Sequence, residues 1–143
     1  MMNKKYKIGY TTGVYDMFHI GHLNLLKKAK EQCDYLIVGV TVDELVSYKN
    51  KEAIIPFEER LEIVRQISYV DEVVPQINMN KMEAWQNLGF EAIFVGDDWK
   101  GSDAWNQFEV DFQQVGVNIE YLPYTQGTSS TQLRQTLQVI NGR

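Results

Sequence analysis

His19 and His22 are the only histidines among 143 residues. They flank Ile20 and Gly21, between a short apolar run and an amphipathic stretch. A helix that begins here would present unpaired backbone N–H groups and a partial positive charge, which together attract phosphate. Two imidazoles one turn apart add donors at the same spot, and Gly21 lets a phosphate approach the backbone closely. Two blander readings compete. The pair could share a metal ion, but with Cys33 as the sole cysteine and no third histidine a zinc site would need carboxylates. They could also be unrelated polar residues of a loop. Phosphate handling is the reading the pattern favours.

The surrounding pattern says what must position this loop. Residues 7–11 read as a first strand, and residues 22–32 as a helix with Leu23, Leu26 and Ala29 on one face and Cys33 buried at its end. Residues 35–41 form a continuous apolar run, as expected of a strand covered on both faces. A short helix over 43–46 leads to a polar loop containing Lys49 and Lys51, followed near Pro56 by a helix over 57–67. Residues 72–74 read as a short strand stopped by Pro75, and Met82 and Trp85 mark a helix closed by Gly89. Residues 92–95 read as a buried strand. Trp105, Phe108, Phe112 and Val115 repeat at helical spacing up to Gly116, and residues 117–122 alternate like a half-buried edge strand. Ser129, Ser130 and Thr131 are capping residues for a last helix carrying Leu133, Leu137 and Ile140.

Strands separated by helices imply right-handed βαβ units. The expected fold is α/β: one Rossmann-like, doubly wound domain over residues 1–143, with a five-stranded parallel sheet and helices on both faces. Ligands of such sheets bind at the carboxyl ends of the strands, near a topological switch point. Three loops there have unusual content: residues 13–22, 96–101 and 123–131.

Composition narrows the partners. The formal net charge of −5 argues against a nucleic-acid scaffold, which carries a basic footprint. No window approaches the roughly 18 apolar residues of a membrane span, and no apolar signal region follows the N-terminal lysines. With one cysteine no intrachain disulfide is possible, so a reducing cytoplasm is the expected location.

The segment from Gly13 to His22 resembles the HxGH signature of the nucleotidyltransferase superfamily. Five further segments have counterparts, in the same order, in the bacterial glycerol-3-phosphate cytidylyltransferases. They are GVTVDE at 39–44, PFEER at 56–60, YVDEVVP at 69–75, GDDW at 96–99 and TQGTSST at 125–131. HxGH marks the superfamily, whereas GDDW and TQGTSST narrow the resemblance to the cytidylyltransferase branch.

That resemblance implies in-line attack by a substrate phosphate on the α-phosphorus of CTP, with magnesium (Mg2+) accompanying the nucleotide and no metal ligand assigned to the protein's side chains. It implies that His19 and His22 stabilise charge on the phosphates. Lys49 and Lys51 match the family's lysine loop, which is expected to close over the triphosphate, Lys49 being the stronger catalytic candidate. Gly13, Val14, Tyr15, Asp16 and Gly21 would form the nucleotide loop, with Asp16 as loop organiser or nucleotide contact and Arg60 holding the site. Asp97 and Asp98 would read the cytosine amino group or help place magnesium. Gly127, Thr128, Ser129, Ser130 and Thr131 would cradle the β- and γ-phosphates. A homodimer is also implied, with Val117, Ile119 and Tyr121 either serving as its apolar edge or facing the core.

Two positions depart from the pattern: Ser68 and Tyr124 stand where relatives commonly carry arginine, the natural bidentate phosphate partner. Val14 stands where a threonine is common. These positions bear on the acceptor, which by resemblance is glycerol 3-phosphate or a close polyol phosphate of the kind that feeds cell-wall and capsular-polysaccharide assembly. Two alternatives stay open: an adenylyltransferase of the same fold acting on a sugar phosphate or flavin mononucleotide, and a non-catalytic nucleotide-binding domain. The lysine ranking is testable by steady-state kinetics. Lys49→Ala is expected to slow turnover more than Lys51→Ala, and equal rates in the two variants would remove the ranking.

Overall fold

Residues 36–38 and 92–94 are apolar on consecutive positions, so strands built from them must be covered on both faces. The computed structural model, which describes residues 4–48, 53–123 and 130–141, shows that arrangement. In chain order the elements are β1 (Tyr6–Gly13), α1 (Ile20–Gln32), β2 (Cys33–Thr41), α2 (Asp43–Tyr48), α3 (Phe57–Arg65) and β3 (Glu72–Gln76). They continue with α4 (Lys81–Leu88), β4 (Ala92–Gly96), a 3-10 turn (Asp97–Trp99), α5 (Asp103–Gln114), β5 (Asn118–Leu122) and α6 (Ser130–Asn141). The five strands pair in parallel in the order β3-β2-β1-β4-β5.

Strand alternation sorts the core into two layers. On one face Leu36, Val38 and Val40 of β2 and Phe94 of β4 pack with Leu26 and Ala29 of α1 and Val64 of α3. On the other, Tyr10, Ile37 and Ile93 pack with Trp105 and Phe112 of α5, and Trp85 and Leu88 of α4 complete the layer. Helices therefore cover both faces, as the doubly wound pattern requires.

Several boundaries differ from the sequence reading. Cys33 is the first residue of β2 rather than the end of the preceding helix, because its extended backbone pairs with Tyr6. Its thiol is buried, which pushes its pKa up to about 11 and keeps it protonated. Pro75 does not stop β3: it pairs with Val40, and the strand runs on to Gln76. β3 is an edge strand, where a missing N–H costs no ladder bond. β5 is the opposite edge, as expected. Its apolar residues are turned inward, however: Ile119, with Val117 just before the strand, packs in the second layer and the Tyr121 ring meets Trp105 edge-on.

β1 is central, and its Gly9 lets the Phe94 ring and the Cys33 sulfur close over the strand. A Cβ there would lie 2.4 Å from Phe94 Cε2 and 2.8 Å from Cys33 Sγ. Gly9→Ala is therefore expected to cost about 1–3 kcal/mol by overpacking. Urea unfolding measures this directly, and an unchanged midpoint would mean that the Phe94 ring yields without cost.

Candidate active site at the sheet switch point

β1 lies between β2, reached through α1, and β4, reached later from the other side. Its carboxyl end is the switch point of the sheet, and the loop leaving it carries both histidines. This loop turns sharply: Tyr15 and Met17 adopt positive φ of 55° and 50°, a conformation that costs a side-chain-bearing residue about 1–2 kcal/mol. Burial of the Tyr15 ring, edge-on to His22 at a centroid distance of 5.3 Å, offsets part of that strain.

The histidines make a reciprocal cap on α1. His19 Nδ1 accepts the Gly21 N–H at 3.0 Å, and His22 Nδ1 accepts the His19 N–H at 3.2 Å. This is the geometry of a capping box, built here from imidazoles. The rings stack at 3.9 Å. An Nδ1 that accepts a hydrogen bond carries no proton, so each neutral ring bears its hydrogen on Nε2. Burial, reinforced by the neighbouring His19, lowers the His22 pKa to about 4, against a smaller opposing pull from Asp16. Burial lowers that of His19 too. At neutral pH the site therefore offers two uncharged imidazoles whose Nε2–H groups are donors.

Two buried charges hold the loop. Asp16, 1% exposed, accepts the Ile54 and Ile55 N–H groups at 2.8 and 2.9 Å and pairs with Arg134 of α6. Burial alone would raise its pKa, but the two amides and the guanidinium outweigh that and lower it. Arg60, also 1% exposed, donates to the carbonyls of Ile55 (2.8 Å), Val14 (2.7 Å) and Thr41 (2.8 Å) and to Asp43 (2.6 Å). Asp43 in turn accepts the Phe57 N–H at 3.1 Å, at the start of α3. Arg60 is thus a buried node joining four segments.

The other expected residues fall into three groups. Gly13 ends β1, and a Cβ there would lie 2.9 Å from the Tyr15 ring, so the close approach needs glycine. Asp97 and Asp98 form the 3-10 turn directly after β4, exposed, as is Trp99. They flank the same switch point. Ser130 and Thr131 open α6. Lys49, Lys51, Tyr124, Gly127, Thr128 and Ser129 lie outside the described residues. Ser68 is not brought to the site. It is exposed in the turn before β3, which in a parallel sheet is the amino edge, opposite the histidines. Among the described residues, no three histidine, cysteine or carboxylate side chains gather to hold a metal.

Sequence reasoning missed two cations. Lys81 opens α4 yet is only 4% exposed, its Nζ 3.3 Å from Thr12 Oγ1 at the end of β1 and over the Trp105 and Phe108 rings. A lysine in a helix's first turn opposes the helix dipole. That conflict, after the capping Asn80, was the available signal. Lys81 also borders a cavity of about 140 Å³ lined by Tyr10, Gln76, Asn78 and Asn87. Arg134 was missed because helical spacing places it on a solvated face.

A doubly wound sheet with a histidine-capped helix at its switch point defines a nucleotidyltransferase site. The comparisons name the group: the cytidylyltransferase-like family model matches residues 10–136, and the chain belongs to that family. It is 38% identical to the glycerol-3-phosphate cytidylyltransferase of Bacillus spizizenii over 128 residues, covering 89% of this chain and 94% of that protein. It is 51% identical to the FAD synthase of Pyrococcus abyssi over 116 residues, covering 78% of this chain and 77% of that one. The crystal structure of a lipopolysaccharide core biosynthesis protein from Thermoplasma volcanium shares the fold, with a TM-score of 0.71 at 23% identity over 86% of this chain and 99% of its own.

The neutral cap has a pH consequence. The His22 pKa is depressed in the folded state, so between its ordinary value of 6.5 and about 4 the unfolded chain binds more protons. Stability is expected to be full above that window and to fall as pH drops through it. Urea midpoints across this range should show the decline. His22→Gln keeps a cap acceptor that does not titrate, and it should flatten the profile. An equal slope in the variant would remove His22 as the cause.

Proposed function

We propose that the protein transfers a cytidylyl group from CTP to a small phosphomonoester, with glycerol 3-phosphate or a close polyol phosphate as acceptor. The observation that carries this reading is the stacked histidine pair. Both Nδ1 atoms are engaged in capping α1, and both Nε2–H donors remain for phosphate at the switch point. A phosphomonoester is already anionic near neutrality and needs no general base. Its oxygen attacks the α-phosphorus, a new P–O bond forms, and the bond to the bridging oxygen breaks, its electron pair leaving with pyrophosphate. The protein's part is positioning and charge stabilisation. The Nε2–H groups of His19 and His22 and the α1 N-terminus face the phosphates. Lys81, a buried cation beside the end of β1, supports an acceptor phosphate there. Lys49, Lys51 and the segment from Gly127 to Thr131 complete the nucleotide site by family resemblance. Magnesium belongs to the nucleotide, where it neutralises phosphate charge. Homodimerisation and a cytoplasmic, cell-wall or capsular precursor role rest on the family alone. No helix of the described residues is long and apolar enough to cross a membrane.

A second reading is adenylyl transfer. The 51% identity to an FAD synthase favours it, as does the tyrosine at position 124 where an arginine is common.

Pyrophosphate release separates them, with CTP, ATP, GTP and UTP each set against glycerol 3-phosphate, other polyol phosphates and flavin mononucleotide. Turnover confined to CTP and a polyol phosphate is the expected result, and turnover with ATP and flavin mononucleotide would replace it. His19→Ala and His22→Ala are each expected to slow turnover about a hundredfold or more while the fold persists. Near-normal rates in either variant would displace the histidines from the chemistry.

A further inference from the structure

Tyr10 of β1 sits in the second core layer, between Ile37 of β2 and Ile93 of β4. Its ring is 3% exposed and stacks on Phe90 at 4.8 Å. A phenylalanine would make the same stack, so packing leaves the hydroxyl unexplained. A buried tyrosine hydroxyl normally finds a partner, and burying one without a partner costs stability. This hydroxyl has no hydrogen-bond partner among the described residues. Burial pushes its pKa up to about 12, so it keeps its proton. It reaches across β2 above Gly39, where a Cβ would lie 2.6 Å from it. Gly39 pairs with Val74 of β3, and Val74 and Tyr10 both border the cavity of about 140 Å³ between β3 and α4. The missing side chain at position 39 therefore clears the way from the Tyr10 ring to the cavity.

We propose that this cavity is a polyol site, in which the Tyr10 hydroxyl hydrogen-bonds a hydroxyl group on the carbon chain of the acceptor. The proposal deepens the reading of the protein as a transferase to a polyol phosphate, and it rests on that reading for the phosphate end. Lys81 borders the cavity with its Nζ 3.3 Å from Thr12 Oγ1, which puts a cation where the cavity meets the carboxyl end of β1. The Tyr10 phenol and the amides of Asn78 and Asn87 are neutral hydrogen-bonding groups, suited to hydroxyls. Glu83, an exposed carboxylate on the rim, disfavours a second anionic group. Thr12 and Tyr10 lie on one face of β1, two residues and about 7 Å apart. A three-carbon chain with its phosphate beside Lys81 spans that distance and brings a hydroxyl to Tyr10. The cavity is well below the ~300 Å³ of a site for a drug-sized ligand, so it takes a short chain.

The experiment compares the full-length wild type with Tyr10→Phe, using the nucleotide the wild type turns over. Each is assayed with glycerol 3-phosphate and with propyl phosphate, which has the same carbon chain and no hydroxyl groups. The readouts are kcat/KM for each acceptor, the nucleotide KM and the thermal unfolding midpoint. Tyr10→Phe is expected to lower the preference for glycerol 3-phosphate over propyl phosphate about tenfold, the upper scale of one neutral hydrogen bond. The loss should fall on glycerol 3-phosphate alone. The nucleotide KM and the midpoint should stay near wild type, because the hydroxyl holds nothing within the protein. A preference within twofold of wild type would overturn the inference. So would a lowered midpoint with equal losses on both acceptors, which would make Tyr10 a structural residue. If the wild type turns over neither acceptor, the proposed function fails, and the cavity is tested by titrating free glycerol against the side-chain amide resonances of Asn78 and Asn87. Saturable shifts that Tyr10→Phe weakens would keep the polyol site, and no shift in the wild type would overturn it.

Discussion

The buried guanidinium of Arg60 is the constraint on which the site depends. A charge that is 1% exposed is tolerable only when its donors are met, and here they are met by three carbonyls and a carboxylate. The acceptors come from the loop after β1, the end of β2, the segment before α3 and the start of α2. Thr41 and Asp43 are close in sequence, but Val14 lies 46 positions from Arg60. Removing the guanidinium would leave several buried carbonyls unpaired at once, so the geometry is set collectively. Through Asp43 the same node caps α3, whose N-terminal Pro56 offers no side-chain cap.

On that frame the chain gathers hydrogen-bond donors without accumulating charge. The protein is acidic overall, with a net charge of −5. At its switch point it presents helix-end N–H groups and two neutral imidazoles. The capping bonds fix the tautomer, and burial keeps the rings uncharged at neutral pH. Preorganised dipoles of this kind stabilise developing charge without first having to reorient. The same histidines that carry the candidate chemistry also start the helix through their Nδ1 atoms. That double duty ties the integrity of α1 to the state of the site.

Lys81 and Arg134 show where local preference yields to position. A cation in the first turn of α4 works against the helix dipole, and its burial over two aromatic rings adds a desolvation cost. Arg134 leaves one donor buried without a partner among the described residues. Both sit against the β1 end or the loop that leaves it. Conflicts between local rules and the fold concentrate at functional sites, and here both lie beside the candidate site.

The sequence alone determined the order and kind of the elements, because continuous apolar runs and 3.6-residue periodicity encode burial directly. It also pointed to the histidine loop at a helix start, because both residues lie within one turn. Those are local properties. Its errors were at boundaries and in placement across the sheet. Cys33 and Pro75 were judged by local propensity, and their parallel partners Tyr6 and Val40 overrode it. Ser68 was singled out by resemblance, yet the direction of β3 puts it at the opposite edge from the histidines. The tertiary structure alone decided that Arg60 is buried, that Asp16 meets Arg134 across 118 positions, and that Lys81 reaches Thr12 across 69. Such pairings come from strand order and helix docking, and neither leaves a periodic trace in the chain.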